Sequence, residues 1–140
     1  MIEFEEVGQS MTAVLLIAHG SRRVEANQEL HDLAVRIAAT GRFPIVESAF
    51  LELAEPDIAA GGTRCVERGA GKVVMVPFFL SMGVHLTRDL TAAREELIER
   101  YPGVTFELGP PLGPHALLDR LVLTRIEEAM SAVNEEESQS

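Results

Sequence analysis

Short apolar runs alternate along this chain with longer segments in which apolar residues return every three or four positions. The runs fall at Ala13–Ala18, Ile45–Leu51, Lys72–Phe79 and Val104–Leu108. Their length and their content of valine, isoleucine and phenylalanine suit strands. Between the first two, Val24–Ala39 carries Leu30, Leu33, Ala34 and Ile37 at helical spacing, with Gly41 placed to close it. A second helix is expected over Pro56–Arg68, with Pro56 in its first turn and Gly69 at its stop. Gly61 and Gly62 lie in its middle, each weakening it by about 1 kcal/mol relative to alanine. Thr87–Arg100, closed by Pro102-Gly103, is the third helix. Ala116–Val133, entered through the turn Pro110–Pro114, is the last.

Strand and helix thus alternate four times. Right-handed crossovers make this α/β, a doubly wound and mainly parallel four-stranded sheet with helices on both faces. The third run is continuously apolar, as a central strand covered on both sides should be. The expected strand order is 2-1-3-4, with the switch point between strands one and three. Ligands of such sheets bind outside the carboxyl ends of the strands.

Two histidines occupy matching places at that edge. His19 follows the first run in Leu16-Ile-Ala-His-Gly-Ser-Arg22, and His85 follows the third in Leu80-Ser-Met-Gly-Val-His85. A single histidine after a strand is most often a loop or cap residue. Two imidazoles brought together from neighbouring strands suit a transition-metal ion. The segment Glu47–Glu55 adds three acids. Glu47 is five residues before Glu52, roughly 16 Å away along an extended strand, so only Glu52 and Glu55 reach the histidine edge. Glu55 has an equally ordinary reading as a negative charge at the start of the second helix. His31 is expected on the surface of the first helix. His115, at the start of the last, is open between a cap and an approach to the crevice.

The 140 residues fit one domain, expected to run over 12–133 between an acidic leader, 1–11, and a disordered acidic tail, 134–140. Met11, directly before the first strand, is an alternative start. The opening Met1-Ile-Glu-Phe-Glu-Glu6 is acidic where a signal peptide is basic, so a cytoplasmic setting is expected. No apolar stretch reaches a membrane span. A net charge of −10 argues against nucleic acid. Cys65 is the only cysteine, which excludes an internal disulfide and a cysteine-cluster metal site; among apolar helical neighbours it reads as a core residue. Ala70-Gly-Lys-Val73 lacks both the first glycine and the Ser/Thr of a phosphate loop, so ATP or another nucleotide has no support. No HExxH motif is present.

Four segments together carry a resemblance. They are Leu16–Arg22, Phe50-Leu-Glu-Leu-Ala-Glu-Pro56, Val76-Pro-Phe-Phe-Leu-Ser-Met-Gly-Val-His-Leu-Thr-Arg-Asp89 and Pro111-Leu-Gly-Pro-His115. In this order and spacing the chain resembles the small single-domain sirohydrochlorin cobaltochelatases and ferrochelatases, class II chelatases, over residues 13 to about 130. The resemblance implies insertion of a divalent metal, with Co²⁺ favoured over Fe²⁺ or Ni²⁺, into sirohydrochlorin, an octacarboxylate tetrapyrrole, without ATP. It implies that His19 and His85 bind the metal and that His19 takes protons from the pyrrole nitrogens. Glu52 matches a carboxylate at the site, Glu55 a substrate-contacting acid, and Leu80, Ser81, Met82, Gly83 and Val84 the backbone lining the macrocycle.

The chemistry fits these residue types. Imidazole exchanges protons near neutral pH and holds borderline metals without caging them. Arg22 and Arg88 flank the histidines and suit the ring's carboxylates, whereas Arg23 reads as a surface charge. Small members of the family resemble half of a longer two-domain chelatase, which implies a homodimer meeting beside the histidine edge through Phe78, Phe79, Leu80 and Met82. Two other readings use the same residues. A metallochaperone would need the histidines but no broad crevice; a histidine phosphatase would need an arginine where Ala18 stands.

Overall fold

The computed structural model describes residues 11–139. Its elements run β1 Met11–Ala18, α1 Val24–Ala39, β2 Ile45–Phe50, α2 Ile58–Glu67, β3 Ala70–Pro77, α3 Val84–Arg100, β4 Thr105–Leu108 and α4 Ala116–Gln139. The four strands form one parallel sheet in the order β2-β1-β3-β4, as expected. Ten of the eleven residues expected as a leader lie outside the described residues; Met11 itself opens β1.

Successive strand residues alternate between two cores. Leu15, Ile17, Val73, Met75 and Phe106 pack under α2 and α3, with Ile58, Cys65, Leu90 and Leu97. Val14 and Leu16 face the other way, onto Leu30 and Ala34 of α1 and Phe50. The two mid-helix glycines are explained by this packing. A Cβ on Gly61 would stand 2.8 Å from that of Ala49, and one on Gly62 2.6 Å from a methyl of Leu97. Their weak helix propensity is the cost of letting α2 lie close to both the sheet and α3.

Several boundaries differ from expectation for identifiable reasons. Pro56 does not open α2. Its carbonyl accepts a hydrogen bond from the Phe50 N–H (2.8 Å), closing the loop after β2, while Asp57 caps the helix by accepting from the Ala60 N–H at 2.8 Å. β3 stops at Pro77, two residues early, although the Phe78 N–H still donates to the Ile17 carbonyl of β1 (2.7 Å). α3 begins one turn early, capped by Gly83, with the Thr87 N–H donating to the Gly83 carbonyl (3.0 Å). α4 runs on to Gln139, so the Glu135–Glu137 run expected in a disordered tail continues the helix, as good helix formers do. Among the described residues, no helix is long and apolar enough to cross a membrane.

Candidate functional site at the carboxyl edge of the sheet

The ends of β1, β2 and β3 meet at one edge. Ile17 pairs with Pro77, and the Phe78 N–H donates to the Ile17 carbonyl at 2.7 Å, so the segments leading to His19 and His85 leave from adjacent strands. On the other side of β1 the pairing continues past the strands. The Leu51 N–H donates to the Ala18 carbonyl and the Glu52 N–H to the His19 carbonyl, both at 3.0 Å. This carries Glu52 alongside His19. Gly20 makes the approach feasible: its φ is 99°, and a Cβ there would lie 1.8 Å from the Glu52 carbonyl oxygen. The carboxylate then turns back, and Glu52 Oε1 lies 2.9 Å from His19 Nε2. A carboxylate on an imidazole nitrogen fixes the ring's orientation.

A second restraint, not foreseen from the residues, holds the same loop. Asn27 of α1 accepts from the Ser21 N–H through Oδ1 (2.9 Å) and donates from Nδ2 to the Ser21 carbonyl (2.8 Å). This two-point clamp ties the turn after His19 to the first helix. Six residues separate the partners, a spacing that no local motif announces.

The remaining predicted residues distribute around this pair. His85 was expected in a loop but occupies the first turn of α3, where it is exposed. Arg88 follows three residues later and so shares its helix face. Arg22 and Glu55 line one cleft of about 410 Å³ with Ser21, Asn27, His31 and Leu53. Among the described residues, Arg22, Arg88 and His85 have no hydrogen-bond or ion-pair partner, which leaves two guanidinium groups and an imidazole available. The stretch Leu80–Val84 runs from the loop after β3 into the first residue of α3. Its Leu80 side chain is exposed, whereas Met82 and the preceding Phe79 pack on the core. Glu47 lies apart, bound to Arg68 at 2.6 Å, and Glu55 leaves the capping of α2 to Asp57.

Two histidines resolve otherwise. His31 is not a plain surface residue: it is half-buried, hydrogen-bonded to Ser48, and meets Phe50 edge-on at 5.4 Å between ring centres. His115 is a cap, its Nδ1 accepting from the Leu117 N–H at 3.0 Å. Cys65 is buried, and desolvation, reinforced by the Glu47 charge, pushes its thiol up to about 12. Gly71-Lys72 lies within β3 rather than in a loop. Among the described residues, no three His, Cys, Asp or Glu side chains of the one chain converge into a set able to hold a metal.

Fold and edge together define a doubly wound α/β domain with a histidine–carboxylate pair where such sheets bind ligands. The family model described as CbiX matches residues 13–129. The chain belongs to this family. A sirohydrochlorin ferrochelatase of Arabidopsis thaliana, described as chloroplastic, is 38% identical over 120 residues, covering 86% of this chain and 53% of the relative. A sirohydrochlorin cobaltochelatase of Sulfolobus acidocaldarius is 30% identical over 121 residues, covering 86% and 94%. The sirohydrochlorin chelatase SirB of Bacillus subtilis subspecies spizizenii, solved with cobalt, superposes with a TM-score of 0.78 at 31% identity. The match covers 84% of this chain and 50% of that one. The chain spans about half the length of several curated relatives it matches.

Proposed function

We propose that this protein inserts a divalent metal ion into sirohydrochlorin without ATP, with Co²⁺ as the favoured ion and Fe²⁺ or Ni²⁺ served by the same ligands. The observation that carries the reading is the His19–Glu52 pair at the end of β1, with His85 delivered from the adjacent strand. It is supported by relatives named as sirohydrochlorin chelatases of cobalt or iron.

In this reading His19 and His85 bind the incoming metal as neutral imidazoles, leaving open positions that the pyrrole nitrogens take. As the ion passes to the ring, His19 accepts one of the two pyrrole protons on the nitrogen the metal vacates, the other going to solvent, while Glu52 holds the imidazole in place through Nε2. The unpaired Arg22 and Arg88 bind ring carboxylates as charged forks. Glu55 contacts the substrate from the cleft it shares with Arg22, and Leu80, Ser81, Met82, Gly83 and Val84 lie along the macrocycle. One domain supplies one wall of a cleft, so a homodimer with the exposed Phe78 and Leu80 near its contact completes the site. A cytoplasmic setting belongs to the same proposal.

The test is absorbance-monitored insertion with sirohydrochlorin and Co²⁺, Fe²⁺ or Ni²⁺ under anaerobic conditions. His19→Ala and His85→Ala are each expected to fall to the spontaneous rate while keeping native far-ultraviolet circular dichroism. Near-normal turnover in either variant refutes the assignment. Metal binding without insertion points to a metallochaperone instead, and phosphate release from an ester to a hydrolase.

A further inference from the structure

Arg22 lines the cleft of about 410 Å³ together with Ser21, Asn27 and Glu55. Its guanidinium has no hydrogen-bond or ion-pair partner among the described residues. A fork that is to meet a carboxylate gains most when its direction is set in advance. Nothing at the tip of Arg22 sets it, so the restraint has to come through the backbone on either side.

Both sides are held by one residue. The Asn27 side chain accepts from the Ser21 N–H (2.9 Å) and donates to the Ser21 carbonyl (2.8 Å), while the Asn27 backbone N–H donates to the Arg23 carbonyl at 3.4 Å. The Ser21 hydroxyl adds a bond across Arg22, accepting from the Arg23 N–H at 3.0 Å. Arg22 is thus bracketed between two residues that Asn27 fixes to α1. Arg23 opens that helix without a side-chain cap of its own. Ser21 is half-buried, so without the Asn27 amide its N–H and carbonyl have to turn towards water to find new partners. That movement carries Arg22 with it.

His19 does not depend on this bracket. Its carbonyl accepts from the Glu52 N–H at 3.0 Å, and its Nε2 lies 2.9 Å from Glu52 Oε1. The Leu51 N–H holds the Ala18 carbonyl just before it, also at 3.0 Å. The imidazole and the guanidinium, three residues apart, are therefore placed by separate sets of bonds.

We infer that Asn27 is a positioning residue for substrate recognition: by gripping both backbone groups of Ser21, its side chain aims the Arg22 guanidinium at a carboxylate of the macrocycle. It acts through Arg22 and not through the histidines. This role rests on the reading proposed above, in which Arg22 binds a ring carboxylate. Such a contact is made equally in the bound substrate and in the transition state, so its loss raises KM and leaves kcat in place.

Steady-state insertion on the full chain, with sirohydrochlorin varied at saturating Co²⁺, tests this. Asn27→Ala and Asn27→Leu, the second keeping the bulk without either side-chain hydrogen bond, are each expected to raise KM at least about fivefold with kcat within about twofold of wild type. Arg22→Ala raises KM at least as much. In the Arg22→Ala background Asn27→Leu has no further effect, because a residue acting through another loses its influence once the other is gone. Hydrogen exchange at the Ser21 amide reads the clamp apart from turnover, and both Asn27 variants are expected to lose protection there. Should Asn27→Ala lose its circular dichroism signal, Asn27→Leu carries the test. A wild-type KM in Asn27→Leu, a fall in kcat as large as the rise in KM, or additive KM effects in the double variant overturns the positioning role while the chelatase reading stands. A Ser21 amide that exchanges as fast in wild type as in the variants overturns the clamp itself. An unchanged KM in Arg22→Ala overturns the Arg22 assignment and the positioning role with it, and a wild-type protein that leaves sirohydrochlorin unmetallated overturns the reading as a whole.

Discussion

Replacing Gly20 with alanine attacks the point where the fold constructs the site. The backbone there has φ 99°, a region that costs an L-residue about 1–2 kcal/mol. The added Cβ would meet the Glu52 carbonyl oxygen at 1.8 Å. Ordinary carbon–oxygen contacts lie near 3.3 Å, so the two loops must separate by roughly 1.5 Å. That motion breaks the hydrogen bond from the Glu52 N–H to the His19 carbonyl, a further loss of about 1 kcal/mol. The expected destabilisation is therefore about 2–3 kcal/mol, which a domain of ordinary stability survives folded. The chemistry suffers more, because an ångström of misplacement in a positioned pair costs about a hundredfold in rate. Gly41→Ala is the control: its φ is 75°, but nothing lies within 4 Å of the new methyl, so it carries the backbone strain alone. Urea melts and insertion rates are measured for both. If Gly20→Ala is no less stable than Gly41→Ala and inserts metal within twofold of wild type, the close approach does not set the His19–Glu52 geometry.

Two further outcomes follow from the same structure. Glu52→Gln and Glu55→Gln are expected to lower insertion at least about tenfold, while Glu47→Gln, which only weakens a half-exposed ion pair with Arg68, costs no more than about 1 kcal/mol in stability and leaves the rate intact; a rate most sensitive at Glu47 refutes the placement. With its thiol pushed up to about 12, Cys65 should resist alkylation in the native protein and react only on unfolding. Its folded value lies above the unfolded one near 9.0, so its contribution to stability is full below pH 9 and is lost as pH rises towards 12. Rapid native labelling at pH 8 contradicts this burial.

How much of this was legible in the residues depended on what each signal measures. Strand order followed from alternation and handedness, and α1 was bounded correctly because its period is regular and its flanks are not helical. Placing Glu52 rather than Glu47 at the histidine edge needed only the rise per residue of a strand. The entry to α3 was misjudged because Gly83 caps by backbone geometry alone, without the side-chain oxygen that makes a cap visible. Asn27 escaped because its clamp on Ser21, six residues back, belongs to no local motif, and the His31–Ser48 pair because it joins residues 17 apart on different elements. The exposure of α4 among the described residues escaped for a different reason: an amphipathic period marks a side suited to burial and does not tell whether the folded domain covers it.

That last point bears on the site itself. The carboxyl end of β3 leads to His85, and its middle presents the half-buried Val74 and Val76 to the side of the sheet away from α2 and α3. β1, which delivers the other histidine, contributes buried residues to both cores, whereas the buried Ala70, Val73 and Met75 of β3 all belong to the core under α2 and α3. The two imidazoles therefore start from unequal support in an isolated chain. Association would remove that inequality by fixing β3 against its neighbours. Turnover should accordingly fall on dilution in step with the dimer population, rather than remain constant per chain. Constant turnover per chain across the dissociation range would show that each domain organises its histidines without help.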